Sequence, residues 1–266
     1  MGPREAFCSK QRMMASAVRE ERRPGLFVFA AHLHFGHVAR LWLAAGEAPR
    51  AGTIGRHDEV DLALPLDDAL SLRHLLFVVR RSGQGVEFQA IDLETPNGLR
   101  LEDGAQVRLA ESTGPLILSA SDFLFFCVPT GQPVPWDCDS HDPWGSLQPR
   151  RVTREVPSGD EPAEALAGRL EVTTQAGTRA PGLTASALRR GALIGRADRC
   201  DVVVPVHTVS RVHAVLLQLE DGLWVMDAGS TNGTWRDDEE LKIARMVEGA
   251  PVQLGVDAAL RWQAAH

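Results

Sequence analysis

Two polar segments near the C-terminal end hold residues that suit the binding of a phosphate group. They are TVSRVHA at 208–214 and DAGSTNGT at 227–234, and the tripeptide IGR at 194–196 lies upstream of both. Together they offer arginine, hydroxyl and asparagine side chains, with glycines where the backbone must turn sharply. Arginine gives charge-assisted, bidentate donors to a tetrahedral dianion, and hydroxyls and loop N–H groups complete a cage around the remaining oxygens. The pattern therefore predicts a phosphate-binding site.

Short apolar segments connect these polar pieces and are typical of strands. In this half of the chain the predicted strands are 170–174, 191–195, 214–219, 223–227 and 260–263. Asn232-Gly233 follows a strand and predicts a hairpin turn, because both residues tolerate positive φ. No long amphipathic helical pattern occurs here, which favours an all-β fold.

The order Gly-Arg, then Ser-Arg-x-His, then Gly-Ser-Thr-Asn-Gly-Thr resembles the forkhead-associated (FHA) domain, a phosphothreonine-binding β-sandwich. The resemblance covers roughly 170–263. Each piece alone is a weak signal, and the three together in this order are specific.

The resemblance implies roles for individual residues. Arg196 is expected to be the principal phosphate ligand, Ser210 to donate its hydroxyl, and Arg211 to add positive potential at the pocket edge. Thr231 belongs to the second phosphate-facing loop, and Asn232 is expected to bond the peptide backbone beside the phosphothreonine. The residues expected to shape the loops are Gly195, His213 and Gly233.

The N-terminal half repeats the same features at an offset near ~140 residues, as a duplicated domain would. The matching segments are 51–56 with 191–196, 60–65 with 200–205, 70–74 with 209–213, 92–98 with 227–233, and 104–109 with 249–254. We therefore expect a second, diverged FHA-like domain.

This diverged copy departs from the pattern where a phosphate would bind. It keeps Gly55, Arg56, Ser71, His74, Asn97 and Gly98. It has Leu72 in place of Arg211 and Pro96 in place of Thr231. Glu94 replaces a glycine, and its carboxylate would repel phosphate if it faced the pocket. We predict weakened or lost phosphate binding, with Arg56, Ser71 and Asn97 as a possible weak second site.

The sequence thus predicts an all-β protein of two FHA-like β-sandwich domains. The expected boundaries are a flexible N-terminal tail at 1–25, the diverged domain at 26–128, a Pro/Asp-rich linker at 129–165 and the FHA domain at 166–266. A short helix is the alternative for the N-terminal segment. Strands are expected at 26–35 and 38–44. Trp136 and Trp144 predict that part of the linker packs on a domain.

Composition sets bounds on partners. The formal net charge of -7 over 266 residues does not favour nucleic acid or an anionic membrane. Four scattered cysteines predict a reducing, cytoplasmic compartment. The polar, basic start predicts no signal peptide, and the histidines that interrupt 25–46 argue against membrane insertion. We predict no cofactor and no metal site, since His32, His34 and His37 have no evident further ligand.

The leading functional hypothesis is a non-enzymatic signalling adaptor. Its C-terminal domain would bind a threonine-phosphorylated protein, which is a serine/threonine kinase or the substrate of one. A variant is intramolecular, with Thr153 in the basic segment 150–156 as the phosphorylated residue. The alternative is a phosphate-independent scaffold or assembly module, for instance in a secretion or envelope-associated machine. No enzyme motif is evident.

Overall fold

The computed structural model describes residues 2–83, 85–147, 152–155 and 165–265. It divides into two compact units, Met1–Val156 and Pro157–His266. Strands dominate both units, which confirms the all-β prediction. Within the described residues, neither helix combines the length and the apolar character that a bilayer crossing requires.

The N-terminal unit pairs its strands into two sheets. Its elements are α1 (Pro3–Glu20), β1 (Gly25–His32), β2 (Val38–Ala44), β3 (Arg50–Gly55), β4 (Leu62–Ala63), β5 (Leu75–Ser82), β6 (Gly85–Asp92), β7 (Leu99–Leu101), β8 (Gln106–Val107), β9 (Leu109–Ser112), β10 (Leu116–Ala120), β11 (Phe123–Thr130) and β12 (Val152–Glu155). One sheet has the order β2-β1-β11-β10-β7-β8, and the other has the order β12-β9-β6-β5-β3-β4. Neighbours are antiparallel apart from the short β3–β4 pair.

Strand β1 shows how apolar side chains hold this unit together. Successive side chains of a strand point to opposite faces. Leu26 and Val28 lie in the main core with Phe77 of the facing sheet. Phe27 and Phe29 point the other way, into a second apolar cluster that includes α1. Strand β1 is therefore buried on both faces, which explains why it is apolar from Leu26 to Ala31.

Helix α1 corrects the prediction of a flexible tail at 1–25 and agrees with the alternative of a helix. Phe7, Met14 and Val18 recur at helical spacing on one face, and all three are buried against the sheet. The helix begins after Gly2, whose N–H donates to the Glu5 carboxylate at 3.2 Å. This spacing is visible in the sequence, but the polar residues between the apolar positions obscure it.

The predicted linker at 129–165 is also partly wrong. Residues 129–130 end strand β11, and 152–155 form β12 on the edge of the N-terminal unit. Trp136 is buried, and its ring lies 5.2 Å from that of Phe7, as does Trp144 at 5.5 Å. The packing expected of the two tryptophans is thereby confirmed. The rest of the expected mobile stretch, 149–151 and 156–162, lies outside the described residues.

The C-terminal unit is likewise built from two sheets. Its elements are β13 (Leu166–Thr174), β14 (Gly177–Arg179), β15 (Gly182–Thr184), α2 (Ala185–Arg189), β16 (Ala192–Gly195), β17 (Val202–Val203), β18 (Ala214–Leu219), β19 (Gly222–Asp227), β20 (Thr234–Arg236), β21 (Glu239–Glu240), β22 (Ile243–Arg245), β23 (Val252–Leu254) and β24 (Ala258–Ala264). One sheet has the order β14-β13-β24-β23-β20-β21, with β15 beside β13, and the other has the order β17-β16-β18-β19-β22. Apolar residues of both sheets form one core.

The two units share one strand order. Strands β3, β4, β5, β6 and β9 correspond to β16, β17, β18, β19 and β22, and the other sheet matches strand for strand from β1 to β13 onward. This agreement corrects one proposed match. Strand β23 pairs with β20 and β24, so its counterpart is β10, which pairs with β7 and β11. Segment 249–254 therefore corresponds to the region of 116–120 and not to 104–109.

The predicted hairpin at Asn232-Gly233 is wrong. Strand β19 pairs with β18 and β22, while β20 belongs to the other sheet. The dipeptide therefore lies in a connection that crosses between sheets. Only Gly233 has positive φ, at 72°. Local turn preference identified a chain reversal but not the strand that follows it.

Candidate functional site

Three loops of the C-terminal unit meet at one end of its sandwich. They are 196–201 between β16 and β17, 204–213 between β17 and β18, and 228–233 between β19 and β20. Hydrogen bonds connect all three loops. The strands that carry the loops are neighbours in one sheet or face it across the core, which is why residues far apart in sequence come together.

Arg196 leaves strand β16 with its backbone fixed and its side chain exposed. Its N–H donates to the Ser210 carbonyl at 2.9 Å, and its Nε donates to the Val209 carbonyl at 3.2 Å. Arg211 is also exposed. The ion pairs that the structure describes in this unit do not include either arginine. Their terminal guanidinium nitrogens are therefore available to an anion.

Gly195 is required by close contact between two backbones. A Cβ at this position would overlap the carbonyl oxygen of Arg211. In the same turn, the Ala197 N–H donates to that oxygen at 3.0 Å. Glycine thus allows the first two loops to lie against each other.

His213 joins the second loop to the third from a fully buried position. Its Nδ1 accepts the Ser210 N–H at 3.1 Å, so its Nε2 carries the proton and donates to the Gly233 carbonyl at 3.0 Å. That carbonyl also accepts the Gly255 N–H at 2.9 Å. The ring therefore holds Ser210 and Gly233 in fixed relative positions.

Ser210, Thr231 and Asn232 lie on the rim of this loop cluster. The Ser210 Oγ accepts the Thr231 N–H at 3.1 Å, which orients the hydroxyl. The Asn232 side chain is exposed, and its Nδ2 donates to the Thr208 carbonyl at 2.7 Å. In this state its amide NH₂ spans two loops, and its Oδ1 remains to accept a further hydrogen bond.

Asp227 supports the third loop and is absent from the set of predicted site residues. Its carboxylate accepts the Ser230 N–H at 2.7 Å, the Ser230 hydroxyl at 2.6 Å and the Thr234 hydroxyl at 2.6 Å. An aspartate three residues before a serine is a known turn signal, and it could have found this residue. The carboxylate fixes the loop from inside while the rim stays open.

The N-terminal unit has the same hydrogen bonds between its loops, but its arginine also contacts a carboxylate. The Arg56 N–H donates to the Ser71 carbonyl at 3.0 Å, and its Nε donates to the Leu70 carbonyl at 3.3 Å. In addition, its Nη1 lies 3.5 Å from the carboxylate of Asp68. The position of Asp68 corresponds to His207. A carboxylate from the neighbouring loop thus already contacts this arginine.

Other differences fall on the rim of the N-terminal loops. Pro96 has no N–H to donate to Ser71, which removes the bond that orients Ser210 in the other unit. Asn97 keeps the bridging bond, with its Nδ2 2.6 Å from the Ala69 carbonyl. Glu94 has a φ of 57°, and its carboxylate pairs with Arg108 at 3.0 Å. Its charge is therefore partly neutralised within the unit.

Two buried titratable groups lie beneath the N-terminal loops. Burial raises the pKa of Asp92 to about 6, against the lowering effect of its hydrogen bonds from Thr95. Leu99 occupies the position that corresponds to Thr234, whose hydroxyl donates a hydrogen bond to Asp227. Because leucine has no hydroxyl, the Asp92 carboxylate accepts fewer hydrogen bonds than Asp227. Burial also lowers the pKa of His74, although its hydrogen bond to a backbone carbonyl acts in the opposite direction.

A cluster of His32, Asp67 and Asp122 brings three potential metal-ligand atoms within 4.8 Å of one another. The His32 Nδ1 accepts the backbone N–H groups of His34 at 3.1 Å and Phe35 at 3.4 Å. Its Nε2 must then carry the ring proton, and a protonated nitrogen has no lone pair for a metal ion. The pKa of Asp67 is lowered, because hydrogen bonds from the backbone of Asp122 and Ala69 and the nearby His32 together outweigh the effect of its burial.

One family model matches part of the C-terminal unit. Residues 192–255 match the family model of the FHA domain. The comparison with curated proteins gave no match.

Solved structures similar to this chain include several FHA proteins. One is the Slr1951 protein from Synechocystis sp., with 24% identity and a TM-score of 0.34, covering 37% of this chain and 99% of that one. Another is FHA-1 of Rv1747 from Mycobacterium tuberculosis, with 20% identity and a TM-score of 0.29, covering 36% and 97%. A third is EmbR from Mycobacterium tuberculosis, in complex with a low-affinity phosphopeptide, with 22% identity and a TM-score of 0.31, covering 36% and 24%.

Proposed function

We propose that this protein is a phosphothreonine-peptide-binding adaptor in serine/threonine kinase signalling, and that it binds through its C-terminal FHA domain. The observation that carries the proposal is the pair Arg196 and Arg211, both exposed and outside the described ion pairs, beside the oriented hydroxyl of Ser210. FHA domains form a family of phosphopeptide-recognition modules. The proposed role is therefore binding and not catalysis, in the cytoplasm.

The charges support a phosphorylated ligand. A phosphothreonine carries about -1.5 to -2 charges at neutral pH and three strong acceptor oxygens. Arg196 would form charge-assisted hydrogen bonds to these oxygens, with Ser210 donating its hydroxyl and Arg211 adding potential. The chain as a whole has a net charge of -7. The attraction must therefore be local, which favours a defined anionic group over a polyanion.

The peptide around the phosphothreonine would meet the rim. Asn232 lies exposed beside Thr231, and it can exchange its bond to Thr208 for bonds to a peptide backbone. Such an exchange costs little, because one neutral hydrogen bond replaces another. The γ-methyl of threonine, which phosphoserine lacks, is worth only about 1 kcal/mol by area.

The experiment is a titration of the full-length chain with a degenerate phosphothreonine peptide library, followed by single peptides. Unphosphorylated and phosphoserine versions serve as ligand controls. We expect Arg196→Ala to weaken binding about a hundredfold, since it removes about two charge-assisted hydrogen bonds. The matched control is Arg56→Ala, which removes the equivalent arginine of the N-terminal unit and should leave binding unchanged.

Two results would contradict the proposal. One is the absence of phosphate-dependent binding by the folded chain. The other is equal loss in both arginine variants, which would indicate general electrostatics.

A second function has support in the N-terminal unit alone. Its arginine contacts Asp68, and Pro96 removes a rim donor. These features favour a phosphate-independent protein contact or assembly role for that unit, as in a scaffold. A partner that still binds the Arg196→Ala protein would belong to this second role.

A further inference from the structure

Trp235 lies on the outer face of strand β20, directly after the rim of the C-terminal loops. Thr234 and the opposing Leu254 of β23 are buried, so the alternate position, Trp235, faces outward. Its side chain is only partly buried. The indole Nε1 donates to the Asn232 carbonyl at 2.8 Å. The ring therefore lies against the backbone of the rim.

Glu240 stands directly opposite Trp235 in the hairpin of β20 and β21. Residues that oppose each other in an antiparallel pair share a face. A Cβ added to Gly233 would lie 2.7 Å from the Trp235 Nε1 and 2.8 Å from the Glu240 Oε1. The indole and the carboxylate are therefore neighbours above Gly233, one residue from Asn232.

The charge of Glu240 is open to an external cation. Its residue is exposed, and the ion pairs that the structure describes in this unit do not include it. The hairpin has one basic residue, Arg236, which alternates with Trp235 and so occupies the opposite face. The Arg236 Nη2 donates to the Arg245 carbonyl at 3.1 Å. Three further acidic residues of the hairpin are exposed, namely Asp237, Asp238 and Glu239.

We propose that Trp235 and Glu240 form a subsite that selects an arginine of the bound peptide, near its phosphothreonine. A guanidinium group stacks its plane on an indole ring and presents paired N–H donors to a carboxylate. Lysine carries the charge without the plane, so we expect it to bind second best. The inference rests on the proposed function, because binding of the phosphothreonine brings the peptide to this surface.

The position of the pair limits where the arginine can stand. Asn232 is the rim residue proposed to bond the peptide backbone, and Trp235 contacts its carbonyl. An extended peptide advances about 3.3–3.6 Å per residue, so the arginine should stand within roughly four residues of the phosphothreonine. Such a ligand carries both signs of charge. Its phosphate faces Arg196 and Arg211, and its guanidinium faces Glu240.

The test is isothermal titration of the full-length chain with a phosphothreonine peptide of otherwise neutral sequence. Arginine, lysine or glutamine is placed at each position in turn on either side of the phosphothreonine. We expect arginine at one position to bind about tenfold more tightly than glutamine at the same position, and lysine about threefold more tightly. The readout is this ratio of dissociation constants, because it does not depend on the affinity for the phosphothreonine itself.

Three variants identify the cause. Glu240→Gln and Trp235→Leu should each reduce the arginine-to-glutamine ratio to about threefold, since each removes one of two contacts. Trp235→Leu also removes the hydrogen bond to Asn232 and can weaken every peptide, which leaves the ratio as the measure. The matched control is Glu239→Gln, which removes the same charge from the same hairpin on the face of Arg236. It should leave the ratio near tenfold.

The possible results separate this inference from the proposed function. Phosphothreonine-dependent binding without an arginine preference at any position would overturn the subsite and leave the proposed function intact. Equal reduction of the ratio by Glu239→Gln and Glu240→Gln would also overturn the subsite, because the general charge of the hairpin would then explain the preference. Absence of all phosphothreonine-dependent binding would contradict the proposed function and the subsite with it.

Discussion

The two units use the same hydrogen-bonded frame to support different surfaces. In both, a glycine lies against a backbone carbonyl, a buried histidine joins two loops, and an asparagine amide bridges the same two loops. In the C-terminal unit the arginine at the first loop is outside the described ion pairs. In the N-terminal unit the equivalent Arg56 contacts Asp68.

This difference indicates that the motif residues have two separable roles, which are packing of the loops and binding of a ligand. Gly55, His74 and Gly98 remain in the diverged copy because the loops cannot pack without them. Ligand binding would depend instead on a few rim residues that can be replaced without disturbing the packing of the loops. A motif match by itself therefore indicates the loop architecture, and the neighbours of the arginine decide whether an anion can bind.

The largest change in stability is expected from substitution of Gly195 or Gly55, the two glycines that lie against a backbone carbonyl. Gly195→Ala would place a methyl group on the Arg211 carbonyl, and Gly55→Ala would do so on the Leu72 carbonyl. Because the obstacle is backbone, we expect each to destabilise its own unit by about 3 kcal/mol, the upper part of the usual overpacking range. Denaturant unfolding of the full-length chain measures this effect. Equal stability of either variant and the wild type would show that the close approach is not a shared requirement.

The same two variants also test whether phosphopeptide binding depends on the C-terminal unit alone. Gly195→Ala should also weaken phosphopeptide binding, whereas Gly55→Ala should not. Loss of binding in both would indicate that the units depend on each other.

The second expected effect is a pH dependence confined to the N-terminal unit. Burial raises the pKa of Asp92 from 3.8 to about 6, so the folded state favours the protonated form. The stabilisation is therefore fully present below about pH 4 and is lost as the pH rises through about 6, by about 3 kcal/mol in total. The measurement is the free energy of unfolding at several pH values for the wild type and Asp92→Asn. A difference between the two proteins that stays constant from pH 4 to 7 would contradict the prediction.

The smallest expected effect is a gain of phosphate binding by the N-terminal unit. Asp68→Ala releases Arg56, and Pro96→Thr restores the N–H that orients Ser71. In a chain that also carries Arg196→Ala, the double change should raise phosphopeptide affinity about tenfold, or about 1.4 kcal/mol. Isothermal titration measures the change. Addition of Arg56→Ala should remove the gain, and a gain that survives it would assign the binding to another surface.

The loop motifs and most strands of both units are readable from the sequence because they rest on local chemistry. Strand β2 was predicted with its observed bounds, 38–44, and β1, β16 and β24 within a few residues. Alternating apolar residues and turn-forming glycines act over a few positions, and these patterns survive divergence.

The errors share a different cause. The segment of helix α1 was expected to be a flexible tail, with a short helix only as the alternative, because the stability of this helix comes from a sheet face far along the chain. Segment 104–109 was matched to the wrong strand, since short apolar pieces resemble one another until pairing distinguishes them. Asn232-Gly233 predicted a hairpin, although the following strand joins the other sheet.

The sequence by itself determined that the C-terminal half carries an FHA signature and that the N-terminal half repeats several of its features in the same order. It did so because glycine, histidine, arginine and asparagine occur in a fixed order with few substitutes for each local role. Only the tertiary structure decided that Asp68 reaches Arg56, that β12 pairs with β9, and that α1 covers a sheet. These contacts join residues that are neighbours only after the strands have paired. Charge and burial at such positions depend on that pairing and on no local pattern.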